Sequence, residues 1–266
     1  MRVAALADLH GRIEGVVVPP CDLVVIAGDL SPYSWKQAPS QVPWLEAVFA
    51  PWLERVAEAA GAPVVGIAGN RDFAWWWDRR VFEKLPWTYV CDEEVTLAGA
   101  RVYGSPWCPR RRARPKADEP QPPSPPLPEG AKVPHWPPRG RGGVFMAASE
   151  DELAERFAAI PDGVDLLITH TPPRGHGDLT STGEHVGSTA LLAAIEGKQP
   201  SLAVFGHIHE GRREPTRAAR TLCANSAICD RWFERRNQPW LIDVDLAGRS
   251  AVLVAGDDGE ELVNTH

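Results

Sequence analysis

The chain has 266 residues, 44% of them hydrophobic and 24% charged, enough apolar content for a buried core that needs no disulfide staples. A formal net charge of −7, from 28 Lys and Arg against 35 Asp and Glu, argues against a general binder of nucleic acid or of anionic membranes, which require a basic footprint. The five cysteines are odd in number and form no Cys-x-x-Cys pair, so they read as reduced thiols, and the expected compartment is the cytoplasm.

Taken in chain order, short β-rich runs alternate with helical patterns. The opening run meets Asp8 too soon for a signal peptide, and no stretch nears the ~18 apolar residues of a membrane span. A strand predicted over 2–6 leads into Asp8-Leu9-His10, and one over 23–27 into Gly28-Asp29. A helix is predicted over 44–60. The strand over 64–68 is followed by Gly69-Asn70-Arg71-Asp72, and a helix over 75–84 carries Trp75-Trp76-Trp77. That aromatic run could stack a base or an aryl group, but at helical spacing it reads first as core packing.

After a strand over 101–103, residues 109–142 break the pattern. They hold 11 of the 26 prolines, eight basic residues (Arg110, Arg111, Arg112, Arg114, Lys116, Lys132, Arg139, Arg141) and three acids. The large apolar residues there are Leu127, Val133 and Trp136. Proline removes backbone donors and fixes φ, so neither helix nor central strand is expected. The local charge of +5 leaves the remainder at −12. The stretch reads as a surface insertion, either a solvated loop or a basic flap beside an anionic substrate.

The helix predicted over 150–160 opens on a capping box of Ser149 and Glu152, and Leu153, Phe157 and Ile160 form one apolar stripe. A strand over 165–169 ends at His170. The loop 171–178 (TPPRGHGD) is stiffened by proline and could bring Arg174 to a distal phosphate. A helix over 188–196 precedes a strand over 202–205, which ends at Gly206-His207-Ile208-His209. Strands over 221–224, 240–244 and 251–254 follow. Cys223 and Cys229 read as packing residues, and Asp257, Asp258, Glu260 and Glu261 as a solvated tail. There is no internal repeat. Nearly continuous apolar strands alternating with helices predict a layered α/β fold, taken as a single domain over 1–266.

Five of these strands deliver polar groups just past their carboxyl ends, where open α/β folds assemble their sites. Asp-x-His alone carries little information, and an isolated histidine is commonly a core or surface residue. Histidine is scarce, at 8 of 266 residues, so Gly-His-x-His has little chance of arising by accident. The weight lies in the ordered set. Carboxylate oxygen and imidazole nitrogen suit hard or borderline divalent metals, and no cysteine has ligand spacing.

In this order, Asp8-x-His10, Gly28-Asp29, Gly69-Asn70, His170 and Gly206-His207-x-His209 resemble the motifs of the calcineurin-like metallophosphoesterases. The runs VYGSPW (102–107), PDGVDLLITHTPP (161–173), GEHVG (183–187), VFGHIHEG (204–211) and CANSAICD (223–230) are similar to the metallophosphoesterase-domain-containing subgroup. The resemblance runs from about residue 2 to about residue 245 around the insertion. It implies a sandwich of two mixed β-sheets flanked by α-helices. It implies two divalent metal ions, of manganese, iron, zinc or nickel, with manganese favoured. Asp8, His10 and His209 would hold one, Asn70, His170 and His207 the other, with Asp29 bridging. The implied activity is phosphoester hydrolysis, a hydroxide between the metals attacking phosphorus in line without a covalent intermediate. Phosphodiesters are the expected substrates, cyclic nucleotides among them. The alternatives are a phosphomonoesterase or nucleotide pyrophosphatase with the same metals, and a weakly active, metal-stabilised binding module. A small phosphoester or nucleotide is the expected partner, with no membrane and no stable nucleic-acid complex; an oligomer stays open.

One position departs from the family pattern. Where the family has a histidine after the asparagine, this chain has Arg71. A guanidinium can grip a phosphate oxygen bidentately but stays charged at any working pH, so it cannot protonate a leaving oxygen. Asn70 and Arg71 are the expected catalytic pair, and Arg71, Arg174 and His176 the expected substrate contacts. His176 and His185 are the candidates for the missing proton donor.

Overall fold

Continuous apolar runs become strands buried on both faces, and they set the frame. In the computed structural model, β1 (Arg2–Leu6) and β2 (Leu23–Ala27) form on their predicted bounds. The structure describes residues 1–32, 40–110, 143–147 and 149–255. Residues 111–142, with Trp136 and seven of the insertion's basic residues, lie outside the described residues, as do Asp257, Asp258, Glu260 and Glu261.

The helix predicted over 44–60 starts earlier. α1 (Gln41–Trp44) passes through a wide π turn (Leu45–Phe49) into α2 (Ala50–Ala60). Pro51 has no N–H for the carbonyl one turn back, and the π turn ends just ahead of it. After β3 (Val64–Ile67), the predicted 75–84 helix divides into α3 (Ala74–Asp78) and α4 (Arg80–Lys84). The Asp78 carboxylate takes the Arg80 N–H at 3.1 Å, which starts the second helix afresh. Trp75 packs edge-on against Phe145 at 4.8 Å and Trp76 against Phe73 at 5.6 Å.

Then come β4 (Thr88–Tyr89), β5 (Glu93–Leu97), β6 (Ala100–Ser105), β7 (Cys108–Pro109) and β8 (Met146–Ala147). α5 (Glu150–Ala158) is capped by Ser149, whose hydroxyl accepts the Glu152 N–H at 3.2 Å. β9 (Leu166–Thr169) precedes α6 (Thr189–Lys198), capped by Ser188 in the same way. The chain continues through β10 (Leu202–Phe205), β11 (Thr216–Ala218), β12 (Thr221–Asn225), β13 (Trp240–Asp245) and β14 (Ser250–Ala255).

These strands build two six-stranded mixed sheets, ordered β14-β13-β1-β2-β3-β4 and β11-β12-β10-β9-β6-β5. Each has a parallel centre to which antiparallel strands are added. Alternation along each strand divides the core. Val3, Val25 and Ile67 of one sheet meet Val102, Ile168 and Val204 of the other. On the outer faces, Leu6 and Ile26 pack with Phe49 and Leu53, and Leu167 and Phe205 with Phe157 and Ile195. The two sheets are tied together near the end of β1: Ala7 N–H donates to Ser226 O and Ile228 N–H to Ala7 O, both at 2.8 Å. Among the described residues no helix is long and apolar enough to cross a membrane.

Candidate metal centre

The chain turns polar where β1, β2 and β3 of one sheet and β9 and β10 of the other end. Backbone bonds lock these ends together: Asp8 N–H to Gly28 O at 2.9 Å, His10 N–H to Asp29 O at 2.9 Å, Gly206 N–H to His170 O at 3.1 Å. His207 N–H donates to Asp8 Oδ2 at 2.8 Å. Asp8, His10, Asp29 and His207 all adopt left-handed backbone, with φ of 54°, 45°, 55° and 68°. Non-glycine residues hold that conformation where the surroundings over-determine it, and such strain gathers at functional sites. The glycines supply room. A Cβ on Gly206 would run into Asp8 Oδ2, and one on Gly69 into Asp29 Oδ1.

The side chains form two adjoining clusters. In the first, His10 Nε2 lies 3.1 Å from His209 Nε2 and 3.6 Å from Asp29 Oδ2. Asp8 Oδ1 lies 3.5 Å from His209 Nε2 and 4.0 Å from His10 Nε2. In the second, Asn70 Oδ1 lies 3.0 Å from His170 Nε2 and 3.1 Å from His207 Nδ1. Asp29 Oδ1 sits 3.4 Å from His170 Nε2. Asp29 therefore turns one carboxylate oxygen to each cluster. His209 Nδ1 donates to Asp230 O at 2.7 Å and His170 Nδ1 to Ala27 O at 2.9 Å. Because a carbonyl only accepts, each Nδ1 carries the proton and each Nε2 faces the cluster, the usual outer-sphere arrangement of a metal-bound histidine.

Charge is set by competition between burial and neighbours. Burial alone would raise both carboxylates, but His209 holds Asp8, and His170 holds Asp29, below the usual carboxylate range. Burial drives His10 down to about 3 against the pull of Asp29. His170 goes the other way, burial being outweighed by Asp29, which lifts it to about 9. The residues fit a pair of divalent cations. Asp8 Oδ1 is buried with no hydrogen-bond donor on it, a costly state for a carboxylate oxygen unless a cation offsets it. Two ligands of one ion with bonds of ~2.0–2.2 Å lie ~3–4 Å apart, the range of the separations above. Sulfur is not among the donors. Cys229 Sγ donates to Leu9 O at 3.4 Å and Cys223 Sγ to Thr221 O at 3.8 Å, and burial raises both thiols.

Arg71 borders the second cluster through its backbone, its N–H donating to Asp29 Oδ1 at 2.7 Å. The charge of its guanidinium is one of the influences that lower His10. Arg174, His176 and His185 are held otherwise. Arg174 Nη1 donates to His185 O at 2.9 Å, His176 Nδ1 lies 2.8 Å from Thr216 Oγ1, and His185 Nδ1 lies 2.6 Å from the buried Asp178. These contacts tie the loop to itself and to β11, not to the ligand clusters.

Two residues given no role by the sequence reading hold the centre in place. Gln41 Nε2 donates to Arg71 O at 2.8 Å, and its Oε1 accepts the Ala74 N–H at 2.9 Å. The fully buried Asp72 carboxylate accepts N–H groups from Gly69 at 2.7 Å, Leu30 at 3.0 Å and Ser31 at 3.0 Å, joining the loops after β2 and β3. Burial and then the Asp29 charge raise Asp72 to about 6. The one sequence signal was an aspartate two places beyond Asn70. Asp72→Ala strands three buried donors, so we expect a loss of about 3 kcal/mol and a Tm lower by roughly 6–12 °C in scanning calorimetry. An unchanged Tm would show that water replaces the carboxylate.

A family model described as calcineurin-like phosphoesterase matches residues 1–211. Metallophosphoesterase domain-containing protein 1 of Homo sapiens is 27% identical over 270 residues, covering 91% of this chain and 71% of its own length. The UPF0046 protein T07D4.2 of Caenorhabditis elegans is 31% identical over 157 residues, 59% of this chain, and the matched part spans 32% of that protein's length. Among solved structures, TT1561 of Thermus thermophilus shares the fold, with a TM-score of 0.53 at 13% identity over 95% of this chain and 97% of that one.

Proposed function

As this chain belongs to the calcineurin-like phosphoesterase family, we propose that it is a phosphoester hydrolase that uses two divalent ions, manganese first among them, and acts on phosphodiesters. The observation that carries the reading is Asp29, whose two oxygens face separate nitrogen and oxygen sets at 3.4 and 3.6 Å. A carboxylate has one oxygen to give to each of two cations. In this reading Asp8, His10 and His209 hold one ion and Asn70, His170 and His207 the other. Two such ions, when bound, lower the pKa of a water and neutralise charge on the phosphoryl oxygens. Arg71 grips a phosphoryl oxygen and contributes charge, while its proton stays on the guanidinium. Gln41 and Asp72 keep the Arg71 turn seated. Arg174 and His176 are outer substrate contacts that must leave their present partners to engage. All five cysteines are free thiols, which suits a reducing compartment such as the cytoplasm.

Metal analysis joined to a phosphoester panel tests this. We expect two ions per chain and faster turnover of bis-nitrophenyl phosphate than of nitrophenyl phosphate with added manganese. A preference for the monoester would favour a phosphomonoesterase. Two bound ions without turnover would point to a binding module.

We read 1–266 as one domain with 109–142 as an insertion. β7 and β8 bring its ends together, Cys108 opposite Met146 and Pro109 opposite Ala147, and Arg110 N–H donates to Ala147 O at 2.9 Å. Replacing 111–142 by a short Gly-Ser bridge is expected to leave Tm within about 3 °C, since loop length alone changes stability little. If the segment is a basic flap, KM for anionic substrates rises while kcat changes less, the mark of lost uniform binding. A variant that fails to fold would show that the segment packs as structure.

A further inference from the structure

Trp232 and Phe233 belong to none of the ligand motifs, yet the turn that carries them closes on the first cluster. The Asp230 carbonyl accepts both the Phe233 N–H, at 2.9 Å, and the His209 Nδ1–H, at 2.7 Å. The Asp230 carboxylate braces the turn from inside, accepting from Trp232 N at 2.8 Å, Glu234 N at 3.1 Å and Arg236 Nε at 3.0 Å. Arg12 Nε donates to Phe233 O at 3.1 Å. Phe233 itself has φ 60°, a left-handed backbone that is a marked outlier for so bulky a residue. Its half-buried ring stands edge-on to His10 at 4.8 Å and to His209 at 5.4 Å.

The neighbouring Trp232 is 45% exposed, one of three large apolar residues so open among the described residues. It is held rather than loose. The Arg231 guanidinium lies 4.5 Å from its ring centroid, and Arg231 Nη1 donates to Ser181 Oγ at 3.0 Å. A braced, open indole on the same turn as Phe233 loses little freedom when a planar group stacks on it. Trp75 and Trp76, for which stacking on a substrate was only the second reading of the sequence, pack against Phe145 and Phe73.

We propose that the turn from Asp230 to Phe233 is the subsite for the organic part of the substrate: Phe233 walls the side of the centre formed by His10 and His209, and Trp232 offers a planar surface to an aryl or heteroaryl substituent. This rests on the phosphoester reading above. Phenylphosphonate and methylphosphonate test it, because they share a headgroup and have no ester to cleave. Titrated calorimetrically into the manganese-loaded protein, phenylphosphonate should bind about tenfold tighter. That ratio should collapse toward one in Trp232→Ala and in Phe233→Leu, and persist in Val252→Ala, an exposed position on β14. A tenfold ratio surviving in both turn variants overturns the subsite, as does a ratio near one in the unaltered protein. Unaltered protein that takes up manganese and binds neither phosphonate overturns the phosphoester reading itself, and the subsite with it.

Discussion

Asp29→Asn is expected to strip metal from both clusters at once and to slow hydrolysis by at least ~10³-fold, well beyond the 10–100-fold typical of altering an outer hydrogen-bond partner. The change is isosteric, so the backbone of the turn can stay as it is. What changes is charge and donor type. One oxygen now faces His10 Nε2 or His170 Nε2, while an amide NH2, which donates and does not ligate, faces the other. The anion that offsets burial of His170 is gone as well. Metal content per chain and turnover, measured on the same preparation, check the result. Two metals retained with most of the rate would overturn the ligand assignment, because no carboxylate would then be needed between the clusters.

Arg71→Ala should slow every substrate by ~10²-fold or more, the size seen when one preorganised charge-stabilising donor is removed from a site. The informative comparison is across leaving groups. With Arg71 as a clamp that keeps its proton, kcat should fall steeply as the leaving-group pKa rises, so nitrophenyl esters go much faster than alkyl esters. Arg71→His should flatten that dependence by supplying a group that titrates near neutrality. The main-chain role of residue 71, its N–H on Asp29 and its carbonyl on Gln41, survives either change. That separates loss of the guanidinium from collapse of the turn. Rates indifferent to arginine, histidine and alanine alike would mean that the guanidinium points away from phosphorus.

Several elements were legible in the chain because a single local signal determines them. β1, β2 and β10 fall on their expected bounds because each is a short run of apolar residues buried on both faces. The cap of α5 was readable from a serine three residues ahead of the N–H it accepts, whereas Ser188, taken as the first residue of its helix, turns out to cap α6. β5 was not anticipated, since Glu93 and Glu94 are exposed on a sheet edge and leave no apolar run. The break between α3 and α4 was hidden too, because it depends on which way the Asp78 carboxylate turns.

At the centre, the sequence by itself determined the order of the candidate ligands and their place at strand ends. Asp8, His10, Asp29, Asn70, His170, His207 and His209 each follow an apolar run, and that spacing is local information. It also determined that Arg71 stands where a titratable proton donor is expected. Only the tertiary structure decided that Asp29 splits its oxygens between two clusters, since that depends on left-handed backbone at Asp8, His10, Asp29 and His207 and on two sheets meeting at Ala7 and Ala227, just past the ends of β1 and β12. The same holds for Asp72, Gln41 and the Asp230 carbonyl. Their partners are backbone or ring atoms 42, 30 and 21 residues away. No residue pattern marks such contacts, because a carbonyl or an N–H belongs to every residue and acquires a role only when folding brings a particular one to the site.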